Sequence, residues 1–367
     1  MRPNPIHCIT DLAPYQPGKP IGELARELSM DVSSIVKLAS NENPLGCSQD
    51  AVEGMKFEWS DIARYPDGGG YRLKEALSNY LEVPPDYITL GNGSNDVLEM
   101  VATVYLNHEC SSIYSEHCFI VNKLATKSRG ARGIEVPAMN FGHDLEKMLS
   151  SIESDTRVVF ISNPNNPTGT FLAPSDVLAF LEKVSGSVIV VLDEAYYEYL
   201  PPDLQSESMN WVKRFPNLIV TRTFSKIFGL AALRVGYGVA SPEITELLNR
   251  VRQPFNVNSL AMRAAEASLK DKNFVSRSIN VNRQGIVQLS CAFESRGLAF
   301  IRPHGNFITV EMPCDAGSIF QSLLNRGVIV RPISGYGLPN HLRVSVGLEE
   351  ENNRFIEALD DSLSGQR

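Results

Sequence analysis

The sequence predicts an α/β fold in which a mostly parallel central sheet is sandwiched by helices, with a smaller α+β unit beside it. Three features predict this. Through the middle of the 367-residue chain, short β-branched apolar runs alternate with longer segments of helical periodicity. From about residue 275 the pattern changes to a long helical stretch, a group of strands and a last helix. No repeat, low-complexity tract or long Pro, Gly or Ser linker separates the two regions, so the second unit interlocks with the first.

In chain order, Tyr87 to Leu90, Thr156 to Ser162, Ser187 to Leu192, Asn217 to Thr221 and Arg234 to Val239 read as strands. Asn95 to Asn107, Ala173 to Ser185 and Pro242 to Gln253 read as helices, the first and last opening after Ser94 and Ser241 as N-caps. Strands joined by helical crossovers run parallel and bury both faces, which puts ligands at the strands' carboxyl ends. Further on, Phe307 to Met312, Gly327 to Val330 and His341 to Val346 read as strands, and Asn352 to Ser364 as the final helix.

Bulk composition excludes several classes of function. Charged residues make up 21% and hydrophobic residues 43%, the profile of a compact folded chain. A net charge of −8 without clustered Lys or Arg argues against nucleic acid, although a local arginine pocket can still hold a small anion. The N-terminal stretch lacks a signal-peptide core and no apolar run is long enough to span a bilayer, so a cytoplasmic location without membrane partners is expected. The six cysteines and six histidines are dispersed without ligand spacing, and neither disulfides nor a metal is expected.

Four segments carry chemistry. Leu90-Gly-Asn-Gly-Ser-Asn-Asp96 follows a strand and opens a helix, where two glycines let backbone N–H groups approach an anion. It is either a phosphate cradle or a ligand-free turn, and Asp96 in place of a third glycine argues against a dinucleotide site. Phe160-Ile-Ser-Asn-Pro-Asn-Asn-Pro-Thr-Gly169 leaves Asn166 at a strand end, able to donate to a ligand oxygen. Val188-Ile-Val-Val-Leu-Asp-Glu-Ala-Tyr-Tyr197 ends a buried strand in two carboxylates, of which Asp193 is the better candidate to hold a protonated ring nitrogen; capping the next segment is the other reading. In Val220-Thr-Arg-Thr-Phe-Ser-Lys-Ile-Phe-Gly229 and on to Arg234, Lys226 sits among small and apolar residues that lower an amine's pKa. Thr223, Ser225 and Arg234 beside it could grip a phosphate; a lysine reaching to solvent and a structural arginine are the alternative. Arg331 and Arg343 add a guanidinium each on or beside late strands, for a carboxylate, a phosphate or an ion pair.

Taken together, these segments resemble fold type I enzymes dependent on pyridoxal 5′-phosphate, and most closely the histidinol-phosphate aminotransferase family. The resemblance extends over Ala13-Pro-Tyr-Gln-Pro-Gly18, Leu38-Ala-Ser-Asn-Glu-Asn-Pro-Leu-Gly46 and Arg64-Tyr-Pro-Asp-Gly68. It implies a large cofactor-binding domain at 41–274 and a small domain from 1–40 and 275–367. It implies that Lys226 carries the cofactor as a Schiff base, that Asp193 pairs with the pyridinium nitrogen, and that Asn166 and Tyr196 bond the ring's phenolic oxygen. Ser94, Asn95, Thr223, Ser225 and Arg234 would bind the phosphate and Phe119 would stack on the ring, while Asn122 stands where many relatives carry tyrosine. Arg343 would hold the anionic end of the substrate, with Arg331, Tyr15 and Asn43 as further candidates for the same pocket. Tyr65 would reach the neighbouring active site of a homodimer.

The reaction so implied is transamination between histidinol phosphate and 2-oxoglutarate, giving imidazole-acetol phosphate and glutamate. An aromatic or broad-range aminotransferase is the alternative. A threonine-phosphate decarboxylase and a nicotinamide-dependent oxidoreductase are further readings, and the last would leave Lys226 without a role.

Overall fold

A computed structural model describes residues 4–10, 12, 14 and 17–364. A first short strand, β1 (Val36–Lys37), precedes seven that build the central sheet: β2 (Ile88–Gly91), β3 (Ser111–Ser115), β4 (Arg132–Val136), β5 (Thr156–Ser162), β6 (Ile189–Asp193), β7 (Leu218–Thr223) and β8 (Gly236–Val239). Their order across the sheet is β2-β8-β7-β6-β5-β3-β4. All neighbours pair parallel except at β8, which runs antiparallel to both β2 and β7.

Alternation along the inner strands shows why the sheet is buried on both faces. Val190 and Leu192 of β6 and Val159 and Ile161 of β5 enter one apolar cluster. Ile189, Val191, Val158 and Phe160, the intervening residues, enter another on the opposite face. Register then aligns the strand ends, with Ser162 opposite Asp193, Asp193 opposite Thr221, and Gly236 opposite both Thr223 and Gly91. The polar residues at the carboxyl ends of the parallel strands therefore form one row, and β8 enters the sheet at that row.

The second unit is a four-stranded antiparallel sheet ordered β12-β13-β10-β9, from β9 (Phe300–Ile301), β10 (Phe307–Glu311), β12 (Arg331–Pro332) and β13 (His341–Ser345). Between β10 and β12, β11 (Val328–Ile329) instead pairs parallel with β1. Ile308, Val310, Leu342 and Val344 pack with Leu289 and Phe293 of the 23-residue helix Lys272–Glu294 and with Phe355 of the helix Glu349–Ser364. Leu24, Ala25, Ile35 and Ala39 join Leu324 and Ile329 in a further cluster, so the N-terminal segment packs on the C-terminal unit.

Several expectations need correction. Ser94 is not a cap: the helix Ser94–Tyr105 starts on it, and Gly93, at φ 82°, occupies the cap position without any side-chain bond. Arg234 is not in a strand but in the left-handed region at φ 55°, closing a one-turn helix before β8. β3 and β4 escaped notice because Ser-Ser-Ile-Tyr-Ser and Arg-Gly-Ile-Glu-Val lack an apolar run, although β3 is buried throughout. Ser241 does cap its helix, accepting from the backbone N–H of Ile244, and Asp271 caps the long helix through Phe274 N–H.

Candidate active site

A cleft of about 220 Å³ opens at the row of strand ends, with walls from both units. Of the residues proposed from the sequence, Ser94, Asn95, Phe119, Asn166, Asp193, Tyr196, Thr223, Ser225, Lys226, Arg234, Arg331 and Arg343 line it. Asn43 does not. Its amide donates to Ile227 O (2.7 Å) and Ser278 Oγ (2.9 Å), so it ties the backbone next to Lys226 to the long helix. Tyr65 is 83% exposed and stacks on Phe255, 4.7 Å between centroids, outside the cleft of its own chain. Tyr15 lies outside the described residues. Asn122 is buried and also does not line the cleft.

The lysine follows β7. Its side chain is partly buried, with Nζ donating to Ser40 O at 3.1 Å. Burial pushes its ammonium down to about 7, and the nearby Arg343 adds to the effect. Asp193 ends β6 and is nearly inaccessible. Its carboxylate accepts from Thr221 Oγ1 (2.9 Å), and among the described residues it forms no ion pair. Burial raises its pKa to about 6, the state of a carboxylate that has lost water and has no ion-pair partner to replace it. Glu194, next in sequence, is spoken for. It accepts from Arg222 Nη2 (2.8 Å) and Nε (3.0 Å) and from Ser206 and Ser208, and Arg222 stacks 3.5 Å from the Tyr197 ring centre.

At the other end of the cleft the backbone has been cleared for an anion. A Cβ on Gly93 would lie 2.4 Å from Arg234 Nη2, and one on Gly236 would lie 2.4 Å from Ser94 N. Only glycine lets the guanidinium and β8 approach the helix start this closely. Arg234 is fixed by Ser225 Oγ (3.1 Å) and Ala231 O (3.0 Å). With no side chain capping the helix Ser94–Tyr105, its first N–H groups and its dipole are open to a phosphate.

The C-terminal unit supplies the other wall. Arg343 on β13 donates to Asn166 Oδ1 (2.5 Å) and to Ala39 O (2.6 Å). Because Asn166 accepts with its oxygen, its amide nitrogen is left to donate elsewhere. Tyr196 is buried, packs edge-on against Phe307, and accepts from Asn41 Nδ2 (2.8 Å); burial holds its phenol up to about 12. Gly18, Ser40, Asn41 and Tyr336 also line the cleft and were not found from the sequence. For Asn41 the signal is present in the Ser-Asn-Glu-Asn-Pro segment, but the segment offers Asn43 equally.

Lys226, Arg234, Arg331 and Arg343 thus face, among the described residues, a single acid of the lining, Asp193, in a chain whose net charge is −8. Such a cleft is suited to anionic ligands, and burial lowers the pKa of its one amine. Residues 33–359 match the family described as Aminotransferase class I and II, and the chain belongs to that family. Within it the chain belongs with the histidinol-phosphate aminotransferases. It is 54% identical to histidinol-phosphate aminotransferase 2 of Nitrosospira multiformis, over 97% of this chain and 91% of that protein. It is 51% identical to histidinol-phosphate aminotransferase 2 of Pseudomonas aeruginosa, over 97% of this chain and 96% of that protein. Its fold is similar to that of the histidinol-phosphate aminotransferase of Sinorhizobium meliloti, solved in complex with pyridoxal 5′-phosphate. The TM-score is 0.88 at 23% identity, covering 98% of each chain.

Proposed function

We propose that the protein uses pyridoxal 5′-phosphate to transfer an amino group between histidinol phosphate and 2-oxoglutarate, in histidine biosynthesis. The observation that carries the cofactor is the presence, in one cleft, of a partly buried lysine and a buried aspartate without an ion-pair partner among the described residues, beside an uncapped helix start that Arg234 and two glycines frame. The donor set fits the group at each end. Asp193 would hold the protonated ring nitrogen, Ser94, Asn95, Thr223, Ser225 and Arg234 the phosphate, Phe119 one face of the ring, and Asn166 and Tyr196 the ring oxygen. When bound, the cofactor supplies an electron sink for the pair left by breaking the substrate's α-carbon to hydrogen bond.

The chain's own residues do the rest. Lys226 Nζ, neutral over part of the population near pH 7, takes the proton from that carbon and returns it one position along. Arg343, with Arg331 as a second candidate, grips the anionic end of the substrate. A phosphate in histidinol phosphate stands where glutamate has a carboxylate, and a planar guanidinium accepts either, so one arginine serves both half-reactions. Substrate identity is supported by the relatives at 54% and 51% identity. It is tested by kcat/KM for histidinol phosphate against phenylalanine and tyrosine with 2-oxoglutarate as acceptor. The expected result is a preference for histidinol phosphate, and a preference for the aromatic amino acids would refute the assignment.

We further infer a homodimer. Phe57, Trp59, Ile62, Tyr65, Tyr71 and Phe255 are all exposed, a concentration of large apolar side chains that soluble monomers seldom leave in water. In that assembly Tyr65 reaches the partner's phosphate site. Equal mixing of Tyr65→Ala and Lys226→Ala chains after co-refolding should restore part of the activity that each lacks alone, because one site per mixed dimer is then intact; no restoration would show that sites are not shared.

A further inference from the structure

Asn41 is buried at φ 54°, a left-handed conformation that asparagine tolerates better than most residues, and its polar groups are fully engaged. Its backbone N–H donates to Ser345 Oγ (2.8 Å), and its Oδ1 accepts from the same hydroxyl (2.9 Å). Its carbonyl accepts from Asn306 Nδ2 (3.0 Å), and its Nδ2 donates to Tyr196 Oη (2.8 Å). These directions follow from where the Ser345 proton can go. Ser345 Oγ could accept from a turned amide as well as from the backbone N–H, but its own buried proton would then have no acceptor among the described residues; Asn41 Oδ1 therefore takes that proton, and the amide turns its nitrogen to Tyr196. An amide nitrogen only donates, so Tyr196 Oη accepts there. The phenol's one proton must point elsewhere, and among the described residues no other acceptor takes it; Tyr196 lines the cleft.

Resting on the reading that Tyr196 faces the ring oxygen of bound pyridoxal phosphate, we infer that Asn41, locked by Ser345, is a positioning residue that makes Tyr196 an obligatory proton donor to that oxygen. Ser345 lies two residues from Arg343 on β13 and so on the same face of the strand. The strand that presents the substrate-gripping arginine thereby also sets the direction of the tyrosine's hydrogen bond. A proton donated to the ring oxygen draws charge from the cofactor and lets the nitrogen linked to Lys226 lose its proton at lower pH.

The test is a pH titration of the visible band of the holoenzyme, which a merely structural role would not move. Tyr196→Phe should raise the midpoint by about one pH unit, the scale of one hydrogen bond to a charge-bearing oxygen. Asn41→Asp keeps the shape but replaces the donor with an acceptor that captures the phenol proton, and should raise the midpoint as far. The double variant should rise no further, whereas a bare charge effect of the new carboxylate would add. Ser345→Ala frees the amide to turn over and should give a smaller rise, which keeps the test open where Asn41→Asp does not fold. If Tyr196→Phe raises the midpoint while Asn41→Asp or Ser345→Ala leaves it in place, or if the two rises add, the role of Asn41 is overturned and that of Tyr196 stands. If Tyr196→Phe itself leaves the midpoint unmoved, both fall.

Discussion

Lys226→Ala should abolish the visible absorption of the bound cofactor and lower kcat/KM for transamination by more than about 10⁴-fold. General acid–base catalysis alone contributes roughly 10²–10⁴-fold, and this substitution also removes the covalent attachment point, so the loss exceeds that range. Alanine leaves the fold intact, since among the described residues Nζ makes one hydrogen bond, to Ser40 O, at the cleft. The physical basis is the amine's surroundings: burial lowers its pKa from 10.5 to about 7, with Arg343 next in effect. The sign gives a second readout. Below pH 7 the ammonium has no lone pair, so the rate at which cofactor-free protein develops the visible band should fall about tenfold per pH unit. A rate that stays flat through that range, or a variant that keeps its band, would remove Lys226 from the centre of the site.

How much of this was legible in the sequence depends on where each residue's partner lies along the chain. Lys226, Asp193 and Asn166 could be found because each ends or closely follows a strand whose apolar run is readable, and register then brings those strand ends together. The phosphate cradle was legible in its glycines, but its reason was not: the guanidinium that a Cβ on Gly93 would displace belongs to Arg234, more than a hundred residues later. Asn41 and Asn43 illustrate the limit. Both stand in one short segment, and nothing local distinguishes them; only tertiary contact sends Asn43 to Ile227 and Ser278 and Asn41 to Tyr196 and Ser345. β3 was missed for the same kind of reason, since Ser111 and Ser112 are buried with hydrogen bonds to Asp155, Thr156 and Thr126 rather than in an apolar pattern. Nothing beside Thr223 in the sequence marks Arg222 as the partner of Glu194, and that pairing is what leaves Asp193 as the acid facing the cleft.

Asp193→Asn should move activity and stability in opposite directions. Asparagine can still accept from Thr221 Oγ1, so the local geometry survives, but a neutral amide cannot hold a protonated ring nitrogen. Removing one preorganised electrostatic partner of a developing charge typically costs about 10²–10³-fold in rate, and a loss of at least that size is expected in kcat with the cofactor still bound. In the cofactor-free chain the same carboxylate is a burden. Its folded pKa, about 6, lies above the unfolded value of 3.8 because burial disfavours the charge, with Glu194 adding repulsion. The folded state is therefore penalised once the group ionises: the penalty is absent below pH 3.8, grows as pH rises toward 6 and is complete above it, where it is on the order of 3 kcal/mol. Asp193→Asn should flatten that part of the stability curve and raise the melting temperature of the cofactor-free protein at neutral pH, while adding the cofactor should stabilise the wild type more than the variant. Thermal unfolding of both proteins, with and without pyridoxal phosphate and across pH 4–8, measures the difference. A variant that transaminates at a near-normal rate would refute the ring-nitrogen role. A cofactor-free variant no more stable than wild type at pH 7 would show that the carboxylate finds its compensation elsewhere in the cleft.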